Sequence, residues 1–308
     1  MALYLGIDLA WGLGATKPAN ETGLCALDAS GRILDAGWAR GPAAVDEWVG
    51  AMLDDHRPGA AESFAQARNA TGDSVTVDAT SDGTVVIAID APLIVPNASG
   101  MRECEREVAR GYGRFKVGAN ASNQALASKA GEVLLELLDR RGVAYTDGTR
   151  AAAPGDAVAF ECYPYTTLVG CAEFGYDVER PRYKRLDTTI PGAEARIRRA
   201  AATDELIHRM MHLRSATPPL DLASHPATAE LSTAPTPVRG EKERKHREDL
   251  LDAALCAWTA ALWHQHGSSR TQSLDTLDRD RADVDARGRV AAIVAPYRGG
   301  QYRGEQPR

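Results

Sequence analysis

Three apolar runs of strand length, each with one acid near its carboxyl end, limit what this chain can fold into. Leu3-Tyr4-Leu5-Gly6-Ile7-Asp8-Leu9-Ala10-Trp11 comes first, the run from Thr84 to Pro92 ends with Asp90, and the run from Ala157 to Pro164 carries Glu161. Runs so continuously apolar read as strands buried on both faces of a central sheet with helices on either side. An unpaired carboxylate is costly to bury, so each acid must be hydrogen-bonded, ion-paired or holding a metal. Pro92 stops the second ladder and leaves Asp90 at the strand's carboxyl end, where open α/β sheets place their sites.

The 308 residues, 44% of them hydrophobic, are enough for one large domain. We expect a single domain over 1–296, with insertions near 56–82 and 215–238 and a tail without order over 297–308. No apolar run reaches the length of a membrane span and the first residues do not form a signal peptide, so the expected location is cytoplasmic, away from membranes. The five cysteines are scattered without a C-x-x-C pair and read as buried thiols.

A net charge of −6 does not advertise a nucleic-acid binder, yet cationic residues cluster locally. Arg180, Arg182, Lys184 and Arg185 form one cluster, Arg196, Arg198 and Arg199 a second, and Arg239 to Arg247 a third. Each reads by itself as a solvated surface, and a place beside an acidic centre would change that reading.

Between the acidic strands, Thr22–Leu27 and Arg32–Ala39 flank the turn Asp28-Ala29-Ser30-Gly31 and predict an antiparallel hairpin that pairs with the first strand. Helices are expected from Pro42 to Asp55, Met101 to Arg110, Ser122 to Arg141, Ala193 to Leu213 and Glu241 to His266. Val290–Val294 reads as a last strand, and Ser215–Val238 as a surface loop or flap. Two tempting metal motifs fail. His208 and His212 lack the glutamate of a zinc helix, and the acidic stretch Asp275–Asp285 has Ala282 where a calcium loop needs an oxygen ligand.

The last long helix adds Asp249 and Asp252, one turn apart and on roughly one side. Asp8, Asp90, Glu161, Asp249 and Asp252 brought together would repel one another, and hard divalent cations, Mg²⁺ or Mn²⁺, relieve that repulsion. Two such ions can activate a water and stabilise the leaving oxygen of a phosphodiester. Within the set, Asp252 is expected to be the better ligand because Ala253-Ala254 lets its turn approach the sheet, whereas Asp249 lies nearer an exposed helix start. Lys245, four residues before Asp249, can partly neutralise the pair when no metal is present, and Lys245 and Arg247 are expected to guide phosphates toward the site.

Gly6-Ile7-Asp8-Leu9-Ala10, Ile89-Asp90-Ala91-Pro92-Leu93, Phe160-Glu161-Cys162-Tyr163-Pro164 and Asp249-Leu250-Leu251-Asp252-Ala253 together resemble domain-of-unknown-function family 429, a group of predicted RNase H-like nucleases. The likeness runs from Leu3 to about His266 and rests on the order and spacing of short motifs. It implies a ribonuclease H-like mixed sheet and metal-dependent phosphodiester hydrolysis. Asp8, Asp90, Glu161 and Asp252 would be catalytic, Asp249 would join them as a metal ligand, Arg102 would contact the substrate, and DNA or RNA would be the partner. The resemblance also draws in Glu103. Two competing functions are an actin-like or sugar-kinase-like phosphotransferase and a non-catalytic scaffold that binds nucleic acid or protein. The phosphotransferase would need a glycine-rich phosphate loop, which Asp90-Ala91-Pro92 does not begin.

Overall fold

The computed structural model describes residues 1–13, 19–56, 83–126, 129–275 and 282–301. Among these, eight strands join one mixed sheet. Strand β1 (Leu3–Asp8) pairs antiparallel with β2 (Glu21–Asp28), which pairs antiparallel with β3 (Ile33–Arg40). On its other side β1 runs parallel to β4 (Val85–Ile89), and β4 runs parallel to β6 (Ala157–Cys162). The short β5 (Ala144–Tyr145) also lies along β6. Strand β8 (Ile293–Pro296) continues the parallel set and β7 (Thr271–Leu274) closes it antiparallel, for the order β3-β2-β1-β4-β6-β8-β7.

Side-chain alternation divides the core. Leu3, Leu5, Ile7, Val85, Ile87, Ile89 and Ala159 pack toward α1 (Gly41–His56) and α3 (Ala130–Arg140), where Val45, Val49, Leu134 and Leu138 complete the layer. Tyr4, Val86, Ala88, Phe160 and Cys162 face the other way. There α7 (Glu241–His266) crosses β1 and β2, and α2 (Glu103–Tyr112), α4 (Pro164–Gly170), α5 (Gly192–Met211) and α6 (Pro226–Thr233) complete that side. From Asp249 to Trp263 every residue of α7 is buried, so this half of the helix is a core element rather than an amphipathic surface helix. Two glycines allow the close crossing. A Cβ on Gly6 would collide with the backbone of Ala253 and Ala257, and one on Gly23 with the backbone of Asp249.

The expected hairpin and its pairing with the first strand are present, as are the helices around 42–55 and 241–266. The flap expected over 215–238 is instead packed structure. It contains α6, and Pro218 O accepts a hydrogen bond of 2.8 Å from the indole of buried Trp258. The helix expected from Ser122 starts only at Ala130, because the Asn123 carboxamide bonds the N–H groups of Ala125 and Leu126 and holds a turn. Of the tail expected to lack order, 297–301 is packed: Gln301 is buried and its amide donates to Val169 O at 3.0 Å. Residues 302–308, most of the insertion near 56–82 and part of the acidic stretch after Asp275 lie outside the described residues. All five cysteines are buried free thiols, as expected. Among the described residues no helix is long and apolar enough to cross a membrane.

Candidate functional site

Parallel pairing of β1 with β4 matches Gly6 to Ala88 and Ile7 to Ile89, and the Asp90 N–H continues the ladder to Ile7 O at 2.8 Å. One step further, Asp8 and Asp90 therefore stand side by side at the carboxyl ends of neighbouring strands. Both project to the face that α7 crosses. Because Gly23 and Gly6 admit the helix backbone at Asp249 and Ala253, the Asp249 and Asp252 side chains come down beside them. Asp252 is fully buried, and so is Asp249, contrary to its expected place near an exposed helix start.

The four acids are not left to one another. Lys184 Nζ lies 2.7 Å from Asp252 Oδ2 and 3.7 Å from Asp90 Oδ2. The Tyr183 hydroxyl donates to Asp252 Oδ1 at 2.5 Å. Lys245 Nζ lies 2.5 Å from Asp249 Oδ1, the neutralising contact expected from their spacing, and 2.9 Å from Glu248 Oε1. Glu248 is matched by Arg244 as well. Four aspartates against two lysines leave two carboxyl groups without an ammonium partner in a buried place. Burial, then the charge of Asp252, holds the Asp8 carboxyl well above the usual carboxylate range. Asp90 is pushed up to about 6 by burial, with Lys184 opposing and Asp252 adding to the shift. Asp249 is likewise raised to about 6, mainly by burial against the opposing charge of Lys245. For Lys184, burial disfavours the ammonium, but Asp252, Asp90 and Asp8 outweigh it and the group stays charged.

Glu161 does not join this cluster. In the β4–β6 register it faces Ile89, so alternation sends it to the α1 and α3 side, and Cys162 takes the position facing Asp90. Its carboxylate is clasped by Arg102, with Nη2–Oε1 at 2.6 Å and Nη1–Oε2 at 2.8 Å, and it accepts the Leu93 N–H at 3.0 Å. Arg102 also bonds Ile94 O at 3.0 Å and Glu105 Oε1 at 3.0 Å and is 1% exposed, so its guanidinium is engaged by protein groups. Glu161 and Arg102 are a buried strut beneath the segment that follows Asp90. They line a small cavity beside Asp90 rather than the cleft over the aspartates, whereas the sequence predicts Glu161 as a metal ligand and Arg102 as a substrate contact. Arg247 is corrected too: its Nη2 bonds Leu231 O and Ala234 O at 2.6 and 2.7 Å, tying the end of α6 to α7. Glu103 pairs with Arg106 and Arg110 on α2.

The cationic wall comes from the cluster that composition alone reads as a solvated surface. A cleft of about 450 Å³ opens over Asp8, Asp90 and Asp249, walled by Arg180, Lys184, Arg185 and Lys245 and by Tyr163, Tyr165 and Trp11. Arg180 bonds Lys116 O at 2.7 Å, and its guanidinium lies 4.3 Å from the Tyr165 ring centroid. Tyr183 is a site residue that the sequence does not mark, and Lys184 is marked only as a member of a cationic cluster, since both lie in a segment without helix or strand periodicity between α4 and α5. Their nearness in sequence to Arg180 and Arg185 is the one local signal. Among the described residues no three His, Cys, Asp or Glu side chains stand close enough to grip one ion as they are placed, and ammonium groups stand among the acids.

Comparison with curated proteins and with solved structures finds no match. A family model does match, over residues 34–275. Its span takes in Asp90, Lys184, Asp249 and Asp252 but begins after β1 and Asp8. The chain belongs to the family described as Protein of unknown function (DUF429).

Proposed function

We propose that the protein is a divalent-metal-dependent phosphodiester hydrolase acting on nucleic acid, built on an RNase H-like sheet. The observation that carries this reading is the convergence of Asp8, Asp90 and Asp249 in one cleft, with Asp252 buried against Lys184 beside them, more carboxyl groups than ammonium groups, and a cationic wall alongside. Three antiparallel strands followed by parallel additions beside the first support the RNase H-like part. An all-oxygen donor set with more carboxyl groups than ammonium groups fits Mg²⁺ or Mn²⁺. Asp8, Asp90 and Asp252 would hold the ion, with Asp249 at its side. When bound, such an ion supplies Lewis-acid polarisation of a phosphoryl oxygen. The protein's own groups do the rest. Tyr183 fixes the Asp252 carboxylate through Oδ1, Lys245 holds Asp249, and Arg180 and Arg185 offer positive charge to the backbone of an entering strand.

The phosphotransferase alternative finds less support. The segment after Asp90, where a phosphate loop would lie, carries Pro92 and is bonded through Leu93 and Ile94 to Glu161 and Arg102. The test is cleavage of single-stranded and duplex DNA and RNA with Mn²⁺, Mg²⁺ or chelator present. Asp8→Asn and Asp252→Asn should lower the rate by about 100-fold or more, and Asp249→Asn should retain measurable activity with weaker metal affinity. Cleavage by Asp252→Asn at the wild-type rate would remove Asp252 from the mechanism.

A further inference from the structure

Lys184 stands where it both completes the acidic cluster and blocks it. Asp252 has one oxygen held by the Tyr183 hydroxyl and the other, Oδ2, capped by Lys184 at 2.7 Å, and the same ammonium is the nearest cation to Asp90 Oδ2 at 3.7 Å. An ion seated between Asp90 and Asp252 needs those two oxygens. The ammonium must then leave, while the Tyr183 hydrogen bond can stay. Its way out is short, because Lys184 lines the cleft and keeps 18% of its side chain exposed, and lysine carries its charge on a flexible four-carbon stem. An ammonium displaced into the cleft is free to pair with an anion there, and Arg180 and Arg185 from the same segment mark that wall as the side where phosphates would collect.

Resting on the metal-dependent reading above, we infer that Lys184 is an internal stand-in for the divalent ion, which surrenders the acids when the ion enters and then pairs with a phosphate of the substrate. Ion and phosphate therefore bind cooperatively, each favouring the displaced lysine. Linkage makes the effect reciprocal. The ion-free protein keeps its acids paired and gives up Asp252 Oδ2 most readily when a phosphate is at hand to receive the ammonium.

The test is calorimetric titration of Mn²⁺ into the full chain, alone and with inorganic phosphate as the probe. In the wild type, phosphate should tighten Mn²⁺ by about 10-fold. Lys184→Met should bind Mn²⁺ alone about 10-fold more tightly than the wild type, with the phosphate effect reduced to about 2-fold or less. Lys184→Arg, which keeps the charge, should stay as weak as the wild type toward Mn²⁺ alone. Lys184→Gln retains a hydrogen-bond donor and serves in place of the methionine variant if circular dichroism shows that one unfolded. Wild-type and Lys184→Met proteins that bind Mn²⁺ equally, or a phosphate effect undiminished in the variant, would overturn the role of Lys184 and leave the metal site standing. Binding seen only in the variant would support the lysine as the block. Absence of binding in all of the proteins would overturn the metal reading itself, and this inference with it.

Discussion

The buried acids of this protein are partnered in different ways, and Glu161 and Asp8 predict opposite responses to neutralisation. Glu161 is matched by a bidentate guanidinium, so Glu161→Gln leaves Arg102 buried with only Glu105 as a charged partner and should destabilise the protein by about 3 kcal/mol. Asp8 is crowded by Asp252 and held above the usual range, so Asp8→Asn should leave the metal-free protein as stable as before or more so. Urea unfolding of both variants checks the contrast, and equal losses would place Asp8 in a structural ion pair. Asp90 adds a pH dependence whose sign follows from its raised value. With about 6 in the folded state against about 3.9 unfolded, the folded protein binds the extra proton between those values. Its ionisation therefore costs stability above about pH 6, and the cost fades as pH falls. The stability of the wild type relative to Asp90→Asn should rise by about 1 kcal/mol between about pH 7 and about pH 5. A difference that stays constant over that window would show that Asp90 does not titrate there.

At the scale of elements, the site depends on how closely α7 approaches the sheet. Gly23→Ala places a methyl group against the Asp249 backbone, which rigid strand and helix cannot both accommodate, and should destabilise by about 3 kcal/mol while drawing Asp249 away from Asp8. Thermal unfolding and Mn²⁺ affinity should both fall. Unchanged metal affinity in a destabilised variant would separate the helix position from the site. The two cationic segments divide their work in a way that mutation can expose. Arg247 anchors the end of α6 through Leu231 O and Ala234 O, so Arg247→Met should lower stability by about 1–2 kcal/mol and leave nucleic-acid affinity unchanged. Arg185→Ala should do the reverse, weakening single-strand binding and reducing the slope of log K against log salt by about 0.7. A salt series on both variants decides which segment meets the phosphates.

Across the whole molecule, the surplus of carboxyl over ammonium groups buried between the sheet and α7 should make stability responsive to divalent cations. Mn²⁺ at about 100 times its dissociation constant should add about 2.7 kcal/mol, seen as a rise of several degrees in Tm. The rise should vanish in Asp8→Asn. A wild-type midpoint that ignores Mn²⁺ and Mg²⁺ would leave the acids with a purely structural role.

Much of this arrangement is legible in the sequence because its causes are local. Continuous apolar runs mark β1, β4 and β6, a turn signal between two short strands marks the hairpin, and i, i+3 spacing puts Asp249 and Asp252 on one side of a helix whose own Lys245 can reach them. Those features determined the mixed sheet, the central helix and three strand-borne acids before any contact was known. Which acids meet was decided only by tertiary structure. Strand pairing aligned Asp8 with Asp90 and set Glu161 one residue out of phase, and a one-residue shift reverses the face. Arg102 and Arg247 look like surface cations in sequence, yet their partners lie 59 and 16 residues away and are brought near only by packing. Tyr183 and Lys184 belong to a segment with no periodicity to mark it, 69 residues and 68 residues before Asp252, and reach the acids because the chain between α4 and α5 passes over the carboxyl edge of the sheet. Periodicity and burial are properties of neighbours along the chain, whereas the partner of a buried charge is chosen by register and by the close approach of helix to strand.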